Sequence, residues 1–203
     1  FYAGTGNIVS VSETDGEEWG LYVPFLESEV RTLALAPGTP TTLYVGTAGS
    51  GVFKRMGAEG WRAINSGLTS PSIQVLAIDP GLSTTLYAGT TSGVFKSSNS
   101  GESWNAINTG LSNYSVHAVV IDPSTPDALY AGTESGVFQS TDGGGNWSEI
   151  NTGPTSNRVT SLVINPLTPT ILYAGTMNNG VFKLTNNGGN WNAVNIGLGN
   201  IPV

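Results

Sequence analysis

The strongest constraint on the fold of this chain is an internal repeat of about 43 residues. The five tryptophans, Trp19, Trp61, Trp104, Trp147 and Trp191, are separated by 42, 43, 43 and 44 residues. A second marker, Leu-Tyr-Ala-Gly-Thr or a close variant, begins at residues 1, 43, 86, 129 and 172. Two independent markers with one period indicate repeated structural units, which must stack on one another to bury a shared core.

Each repeat has the pattern of four short β-strands. Within residues 116–151 the segments VHAVVID, ALYAGT, GVFQS and WSEIN are rich in β-branched and aromatic residues and are bounded by turn-forming residues. The first segment is apolar on both faces, as expected for a strand packed between neighbouring units. Five four-stranded units predict an all-β fold, a β-propeller most simply counted as five blades.

The period also predicts the domain organisation. A single propeller domain covers residues 1–203, with blades near 1–24, 25–67, 68–110, 111–153 and 154–197, and residues 198–203 begin a further or ring-closing strand. The chain opens in the second strand of a blade, and Val203 aligns with Val159 at the start of a first strand. Two interpretations stay open: a segment of a longer propeller, or a five-bladed ring that the C-terminal residues help to close.

A polar residue follows the first strand in most repeats. Asp79, Asp122 and Asn165 hold this position, and Ala36 holds it in the second blade. Each is followed by proline, which ends a central strand. A carboxylate that is replaced by Asn or Ala in sister repeats is better explained as a turn former than as a catalyst.

The corner between the third and fourth strands carries the most distinctive motif. Its five copies are SETDGEEW (12–19), KRMGAEGW (54–61), SSNSGESW (97–104), STDGGGNW (140–147) and LTNNGGNW (184–191). The pattern Ser-x-Asp-x-Gly-x-x-Trp resembles the Asp-box, or bacterial neuraminidase repeat. This repeat occurs in sialidases, sortilin-type receptors, xyloglucanase-type glycoside hydrolases and a photosystem II assembly factor. The matching residues are Ser140, Asp142, Gly144 and Trp147 in full, then Asn99, Gly101 and Trp104, then Asn186, Gly188 and Trp191, with Trp61 and Trp19 kept in the most divergent corners.

The resemblance implies a sialidase-like propeller whose corners lie on the rim away from the active site. The residue types fit a structural role, because Asp or Asn caps a turn, Gly permits positive φ, and Trp folds back as a plug that holds its blade together. The octet lacks the alternating carboxylates of a calcium loop, so no metal site is predicted.

Composition excludes several classes of function. A net charge of −7 with only seven Lys and Arg disfavours nucleic-acid binding. No apolar run reaches the length of a membrane span, so no membrane insertion is expected. With no Cys and one His, a thiolate metal site or a nucleophilic triad has almost no residues to use, and no cofactor is expected. Few lysines among many Gly, Thr and Asn favour an extracytoplasmic protein.

The two enzyme activities suggested by the resemblance find little support. A sialidase uses three converging arginines, whereas this chain has four in all, and two of them, Arg55 and Arg62, flank the second corner. An inverting glycosidase needs two carboxylates across a cleft. Glu27, Glu29 and Glu134 could lie on the rim opposite the corners, but no two of them hold corresponding positions in the repeat.

One varying position suggests a ligand site. The second residue of the first strand is polar in every copy, whereas later residues of the same face are apolar. These polar residues are Arg31, Gln74, His117 and Thr160. If the first strand is innermost, they surround the mouth of the central channel, with Arg158, Tyr114 and Glu134 in adjoining loops. Two readings stay open: solvated strand starts, or a shallow polar pocket for a glycan or peptide.

The sequence therefore favours a non-enzymatic binding or scaffold propeller that presents a rigid face to a protein or glycan partner. The alternative is a fragment of a xyloglucanase-like glycoside hydrolase whose catalytic residues lie partly outside these residues. The sequence leaves the oligomeric state open.

Overall fold

A computed structural model describes residues 1–21, 27–38, 41–150, 158–185 and 190–198. Within these ranges, nineteen strands form five antiparallel sheets, and every sheet is built from consecutive strands of the chain. We number the sheets as blades 1 to 5. Blades 2 to 5 have four strands each, and blade 1 has three in the described residues.

The strands are, in chain order, β1 (Tyr2–Thr5), β2 (Ile8–Val11) and β3 (Gly20–Leu21) in blade 1; β4 (Val30–Ala36), β5 (Thr42–Thr47), β6 (Val52–Met56) and β7 (Arg62–Ala63) in blade 2; β8 (Ile73–Ile78), β9 (Leu86–Thr90), β10 (Gly93–Ser97) and β11 (Asn105–Ala106) in blade 3; β12 (Val116–Ile121), β13 (Leu129–Thr133), β14 (Gly136–Ser140) and β15 (Ser148–Glu149) in blade 4; and β16 (Val159–Ile164), β17 (Leu172–Thr176), β18 (Gly180–Leu184) and β19 (Asn192–Ala193) in blade 5.

The first strands of blades 2 to 5 contact one another in sequence, β4 with β8, β8 with β12 and β12 with β16. They are therefore the innermost strands, as the sequence predicts. The second strand packs behind them, and in β9 and β13 every residue is buried. The glycine of this strand permits the close approach of the next blade, because a Cβ at Gly89 would meet the side chains of Val75, Val116 and Val119.

The hydrophobic core is divided into layers that lie between neighbouring blades. One layer joins Tyr44 and Ile64 of blade 2 to Phe95 and Trp104 of blade 3, and equivalent layers join blades 3 and 4 and blades 4 and 5. Such nearest-neighbour packing is typical of repeat architectures. The predicted all-β fold with five propeller blades is confirmed.

The turns after the innermost strands follow the prediction from their Asp and Asn residues. Asp122 Oδ1 accepts hydrogen bonds from the backbone N–H groups of Ser124 and Thr125. Asp79 and Asn165 accept the equivalent pairs of bonds in blades 3 and 5. Their predicted role as turn formers is confirmed.

The corner of blade 4 is held by a short network around Ser140 and Asp142. Ser140 Oγ donates to Asp142 Oδ1 at 2.8 Å and accepts from the N–H of Gly144 at 2.9 Å. Asp142 also accepts from the backbone N–H and side-chain amide of Asn146. These three donors lower the pKa of the Asp142 carboxyl to about 2.

The corners of blades 3 and 1 repeat this network with other residues. In blade 3, Ser97 Oγ donates to Asn99 Oδ1 and accepts from the N–H of Gly101, both at 2.9 Å. In blade 1, Thr14 Oγ1 replaces the carboxylate and accepts from the N–H of Glu18 at 2.8 Å. In blade 5, Asn186 and Gly188 lie outside the described residues.

The corner tryptophans correct the expectation that each one holds its own blade together. Trp104, Trp147 and Trp191 are 2%, 4% and 3% exposed. Their indole N–H groups donate to backbone carbonyls of the preceding blade, those of Ile64, Ile107 and Ile150, at 2.7 to 2.8 Å. The plug therefore fastens its blade to the preceding one.

The prediction of a buried plug is wrong at Trp19. Its side chain is 48% exposed, and its indole donates to the carbonyl of Gly16 in its own corner at 3.0 Å. The physical reason is position: in the described residues no outer strand of a preceding blade packs against blade 1. Trp61 is intermediate, partly buried against Val9, Leu43 and Val45.

Candidate functional site

A β-bulge begins the innermost strand of blades 2 to 5. The pairing register between first and second strands skips one residue in each blade, and the skipped residues are Arg31, Gln74, His117 and Thr160. A bulge leaves one residue out of the strand ladder and redirects its side chain. The polar position found in the sequence is therefore a backbone feature that occurs four times.

These four side chains converge on one shallow pocket at the rim opposite the corners. The pocket has a volume of about 300 Å³ and is lined by Arg31, Gln74, His117, Arg158 and Thr160. No Asp or Glu belongs to this lining within the described part of the chain. The lining is therefore rich in hydrogen-bond donors and carries two permanent positive charges.

One side of the pocket is formed by Arg31 and Gln74 of neighbouring blades. Arg31 Nη1 donates to Gln74 Oε1 at 2.7 Å, and Gln74 Nε2 donates to Ser72 Oγ at 3.2 Å. Arg31 has five donors in its guanidinium group, so the bond to Gln74 orients it while leaving further donor capacity for a ligand.

The other side is formed by His117 and Arg158, and both contact one carboxylate. His117 Nε2 lies 2.9 Å from Glu134 Oε1, and Arg158 Nε lies 3.4 Å from the same oxygen. Ser115 Oγ lies 3.5 Å from His117 Nε2. Arg158 also donates to Met177 Sδ at 3.8 Å. Glu134 thus contacts and positions both His117 and Arg158, and it does not itself belong to the pocket lining.

The remaining predicted site residues fall into different places. Thr160 lines the pocket, and its Oγ1 donates to the carbonyl of Gly175 at 3.1 Å. Tyr114 is 53% exposed and outside the lining, and its carbonyl accepts the N–H of Gly93 of blade 3. Of the other candidate carboxylates, Glu27 and Glu29 are exposed and outside the lining.

Sequence reasoning missed the supporting residues Ser72 and Ser115. A signal for them exists, because the residue just before the innermost strand is polar in every repeat: Glu29, Ser72, Ser115 and Arg158 hold equivalent positions. Met177 gave no such signal, since its contact with Arg158 depends on the path of a loop in blade 5.

An apolar depression lies at the opposite end of the innermost strands, on the corner side. It has a volume of about 400 Å³, and its lining includes Ile78, Ile121 and Ile164 with the prolines that follow them. The channel thus has a polar mouth and an apolar mouth.

Two kinds of feature are absent from the described ranges. They contain no group of three or more His, Asp or Glu side chains arranged to hold a metal ion. They also contain no helix that is long and apolar enough to cross a membrane.

Fold and site together define the class of protein: a β-propeller with a polar pocket at one mouth of its channel. Comparison with solved structures supports the fold. The extracellular domain of BT4673 from B. thetaiotaomicron, described as part of a one-component system, superposes with a TM-score of 0.76 at 22% identity. The match covers 94% of this chain and 25% of that chain.

Two glycoside hydrolases are also similar. The Niastella koreensis GH74 enzyme gives a TM-score of 0.69 at 23% identity, over 94% of this chain and 34% of that one. The GH74 xyloglucanase from Xanthomonas campestris gives a TM-score of 0.70 at 18% identity, and the match covers 82% of this chain and 30% of that one. This chain thus spans about a quarter to a third of these proteins, and such identities support a common fold alone. No family model and no curated protein sequence matches the chain.

Proposed function

We propose that this chain is a non-enzymatic binding module, a propeller of Asp-box blades whose polar mouth receives a protein or glycan partner outside the cytoplasm. The observation that carries the proposal is the bulge repeated in four successive blades. It directs Arg31, Gln74, His117 and Thr160 into one pocket, although nothing in the strand ladder requires a polar residue there.

The Asp-box assignment is supported by the corner hydrogen bonds. Ser140 and Asp142 in blade 4 and Ser97 and Asn99 in blade 3 make the same serine-to-acceptor bond. A side chain that Asn or Thr can replace in this network serves the turn, which supports a structural role for the motif.

The pocket suits a ligand that offers hydrogen-bond acceptors. Arg31 and Arg158 supply planar groups of donors that match carboxylate and sugar oxygen geometry, and Thr160 adds a hydroxyl. The side chains are already oriented by partners of their own, such as Gln74 for Arg31 and Glu134 for Arg158. Such preorganisation reduces the entropy that binding would otherwise cost.

The second candidate is a segment of a glycoside hydrolase, favoured by the likeness to two GH74 enzymes. Glycoside hydrolysis needs two carboxylates facing the scissile bond. Glu134 contacts both His117 and Arg158 and lies outside the pocket lining. We therefore rank binding above hydrolysis. The extracytoplasmic location draws support from the extracellular domain to which the chain is similar.

One experiment separates the two candidates. The purified chain is applied to an array of immobilised plant and animal glycans that includes xyloglucan oligosaccharides, and is incubated in parallel with soluble xyloglucan in a reducing-sugar assay. We expect binding to at least one glycan without hydrolysis. Measurable turnover would favour the hydrolase, and neither binding nor turnover would remove the glycan half of the proposal.

Variants assign any binding to the pocket. The double substitution Arg31→Ala with His117→Ala should abolish binding to the glycan that the array identifies. Arg62→Ala is the matched control, since it removes one exposed arginine from the corner rim, where Arg62 pairs with Glu102. Equal binding by the wild type and the double variant would contradict the proposed site.

A further inference from the structure

Blades 2 to 5 join to one another by a contact that repeats in detail. We call the surface that a blade offers to the next one its outgoing face, and the surface it offers to the preceding one its incoming face. Between blades 3 and 4, Trp147 of the incoming face donates from its backbone N–H to the carbonyl of Thr109 and from its indole to the carbonyl of Ile107. The same two bonds join blades 2 and 3 through Trp104.

The incoming face of blade 1 has the same residues but no neighbour in the described structure. Trp19 is 48% exposed, against 2% for Trp104. A Cβ built on Gly101 or Gly144 would strike the Cδ1 atom of Ile64 or Ile107 of the preceding blade, whereas at Gly16 no atom of the described part of the chain lies within 4 Å of the same point. Beside Trp19 is an open depression of about 360 Å³ that includes Gly20 and acidic side chains.

The outgoing face of blade 5 is open in the complementary way. Val194, which is equivalent to Ile64, is 40% exposed where Ile64 is 3% exposed. Leu198 is 44% exposed, against 3% for its equivalent Leu111. At Gly67 an added Cβ would meet the carbonyl of Trp104 in the next blade, but at Gly197 no atom of the described residues lies within 4 Å of that point.

The polar parts of the two faces are also complementary. Lys54 and Lys96 reach from their own blades to the corner carbonyls of Ser100 and Gly143 in the next, at 3.1 and 3.0 Å. Lys183 holds the equivalent position in blade 5 and lies over the Tyr173 ring at 5.7 Å. The corner of blade 1 offers Asp15 at the position of Ser100, within the acidic run Glu13, Asp15, Glu17 and Glu18.

The two open faces belong to one chain, and within the residues that the structure describes they do not meet. Three equivalent contacts join blades 2 to 5, and because they use equivalent residues we expect each to turn the chain by a similar step about the propeller axis. Together with the contact between blades 1 and 2, these steps do not bring Trp19 against Val194, and both side chains stay exposed. A ring with this step therefore holds more than five blades. Since propellers contain roughly four to eight blades, the gap accommodates roughly one to three more. A whole second copy, with five blades, is too large for that gap.

We propose that the incoming face of blade 1 and the outgoing face of blade 5 are docking surfaces for roughly one to three further blades of this same repeat, which complete the ring. The first added blade places a corner tryptophan over Val194 and Gly197. The last places an Ile or Val of its outer strand into the notch at Gly16, beneath Trp19. A further innermost strand pairs with β1.

The test uses four proteins, in which zero, one, two or three copies of residues 117–159 are added after Val203 of the full chain. Each protein then ends with a single copy of residues 160–165, which supplies the innermost strand for blade 1. Residue 117 continues the register because Val203 aligns with Val116. The proteins are labelled with 5-fluorotryptophan, and the fluorine NMR signal of Trp19 is assigned by its loss in Trp19→Phe. A soluble paramagnetic chelate then reports how exposed each indole is.

We expect Trp19 to be protected, to the level of Trp104, at one extension of one to three repeats, together with a rise in Tm. Val194→Asp in that protein should expose Trp19 again, and a Gly-Ser extension of equal length should give no protection. Protection with no added repeat would mean a five-bladed ring, and concentration-dependent protection would mean self-association. Either of these results, or exposure of Trp19 at every length, would overturn the proposal.

Discussion

One rim of the propeller carries the Asp-box-like corners, and we call it the corner rim; the opposite rim carries the polar pocket, and we call it the pocket rim. The same repeat builds both, but at the corner rim the side chains recur from blade to blade, whereas at the pocket rim only the backbone conformation recurs. At the corners of blades 3 and 4 the side-chain hydrogen bonds recur with nearly the same lengths. At the pocket rim the backbone bulge recurs, while the side chain on it changes from Arg31 to Gln74, His117 and Thr160. A side chain that recurs serves the fold, and a backbone that recurs under changing side chains leaves those side chains available to bind.

The two rims also differ in how deeply their side chains are buried, and burial determines how much a substitution changes the free energy of unfolding. The corner tryptophans of blades 3 to 5 are almost fully buried between blades, whereas Arg31 at the pocket rim is exposed. Substitutions at the corners should therefore change the free energy of unfolding, and substitutions at the pocket should change binding. The following predictions are ordered from the largest expected change in stability to the smallest.

The substitution Trp147→Ala should have the largest effect. It removes a 4% exposed side chain from the layer between blades 3 and 4, together with the bond to the carbonyl of Ile107. The expected loss in the free energy of unfolding is about 3–5 kcal/mol. Urea denaturation followed by circular dichroism measures it.

Trp19→Ala is the matched control, because the same residue at the same repeat position is 48% exposed there. Its expected loss is below about 1 kcal/mol, typical of a surface substitution. Equal losses at the two positions would refute the role of Trp147 as an inter-blade plug.

The second prediction concerns the corner glycines. Gly144→Ala and Gly16→Ala both place a Cβ on a backbone with φ of +95°. That strain is worth about 1–2 kcal/mol in each variant. In Gly144→Ala the Cβ also strikes Ile107 of blade 3, an overpacking that adds about 1–3 kcal/mol. The difference between the two losses in urea denaturation isolates the blade contact, and no difference would contradict it.

The third prediction concerns acid stability. The pKa of Asp142 is about 2 in the folded chain, below its ordinary value of 3.8, because Asn146 and Ser140 donate to the carboxylate. A depressed folded pKa gives stability that is present above about pH 4 and is lost as the pH falls towards 2. Asp142→Asn should therefore flatten the stability profile between pH 4 and pH 2, with little change at pH 7, since Asn99 makes equivalent bonds in blade 3.

The measurement is urea denaturation at several pH values. The pKa of Glu102 is also lowered to about 2, chiefly by its hydrogen bonds with Arg62. Glu102 therefore contributes the same dependence of stability on pH to the wild type and to Asp142→Asn, and Glu102→Gln is measured in parallel to determine that contribution. Identical pH profiles for the wild type and Asp142→Asn would show that the corner carboxylate contributes no pH-dependent stability.

The sequence predicted the fold well because a repeat is a local signal. The spacing of the tryptophans and the LYAGT strand required no knowledge of distant contacts. The target of each tryptophan was missed because the carbonyl that receives its indole lies 40 or 41 residues earlier, in another blade. The exposure of Trp19 was missed for the same reason, since burial depends on a neighbour that the motif does not contain.

The pocket was predictable only in part. A polar residue at one position of the innermost strand located Arg31, Gln74, His117 and Thr160, and the convergence followed from placing that strand innermost. The bulge could not be read from the sequence, because the polar residue occupies an otherwise ordinary strand and leaves no Gly or Pro as a marker. The contact of Glu134 with His117 depends on a loop path that strand periodicity does not specify.

The smallest change in stability is expected at the pocket itself. Arg31 is exposed and donates to Gln74 of the next blade, a bond that water can replace when the arginine is removed. The free energy of unfolding of Arg31→Ala should therefore stay within about 0.5 kcal/mol of the wild type, measured by the same urea denaturation as Trp147→Ala. A loss of about 2 kcal/mol or more would mean that the polar residues on the bulges fasten neighbouring blades, as the tryptophans do on the other rim. The difference between the rims would then be one of chemistry alone, and the varied side chains of the pocket would no longer indicate binding.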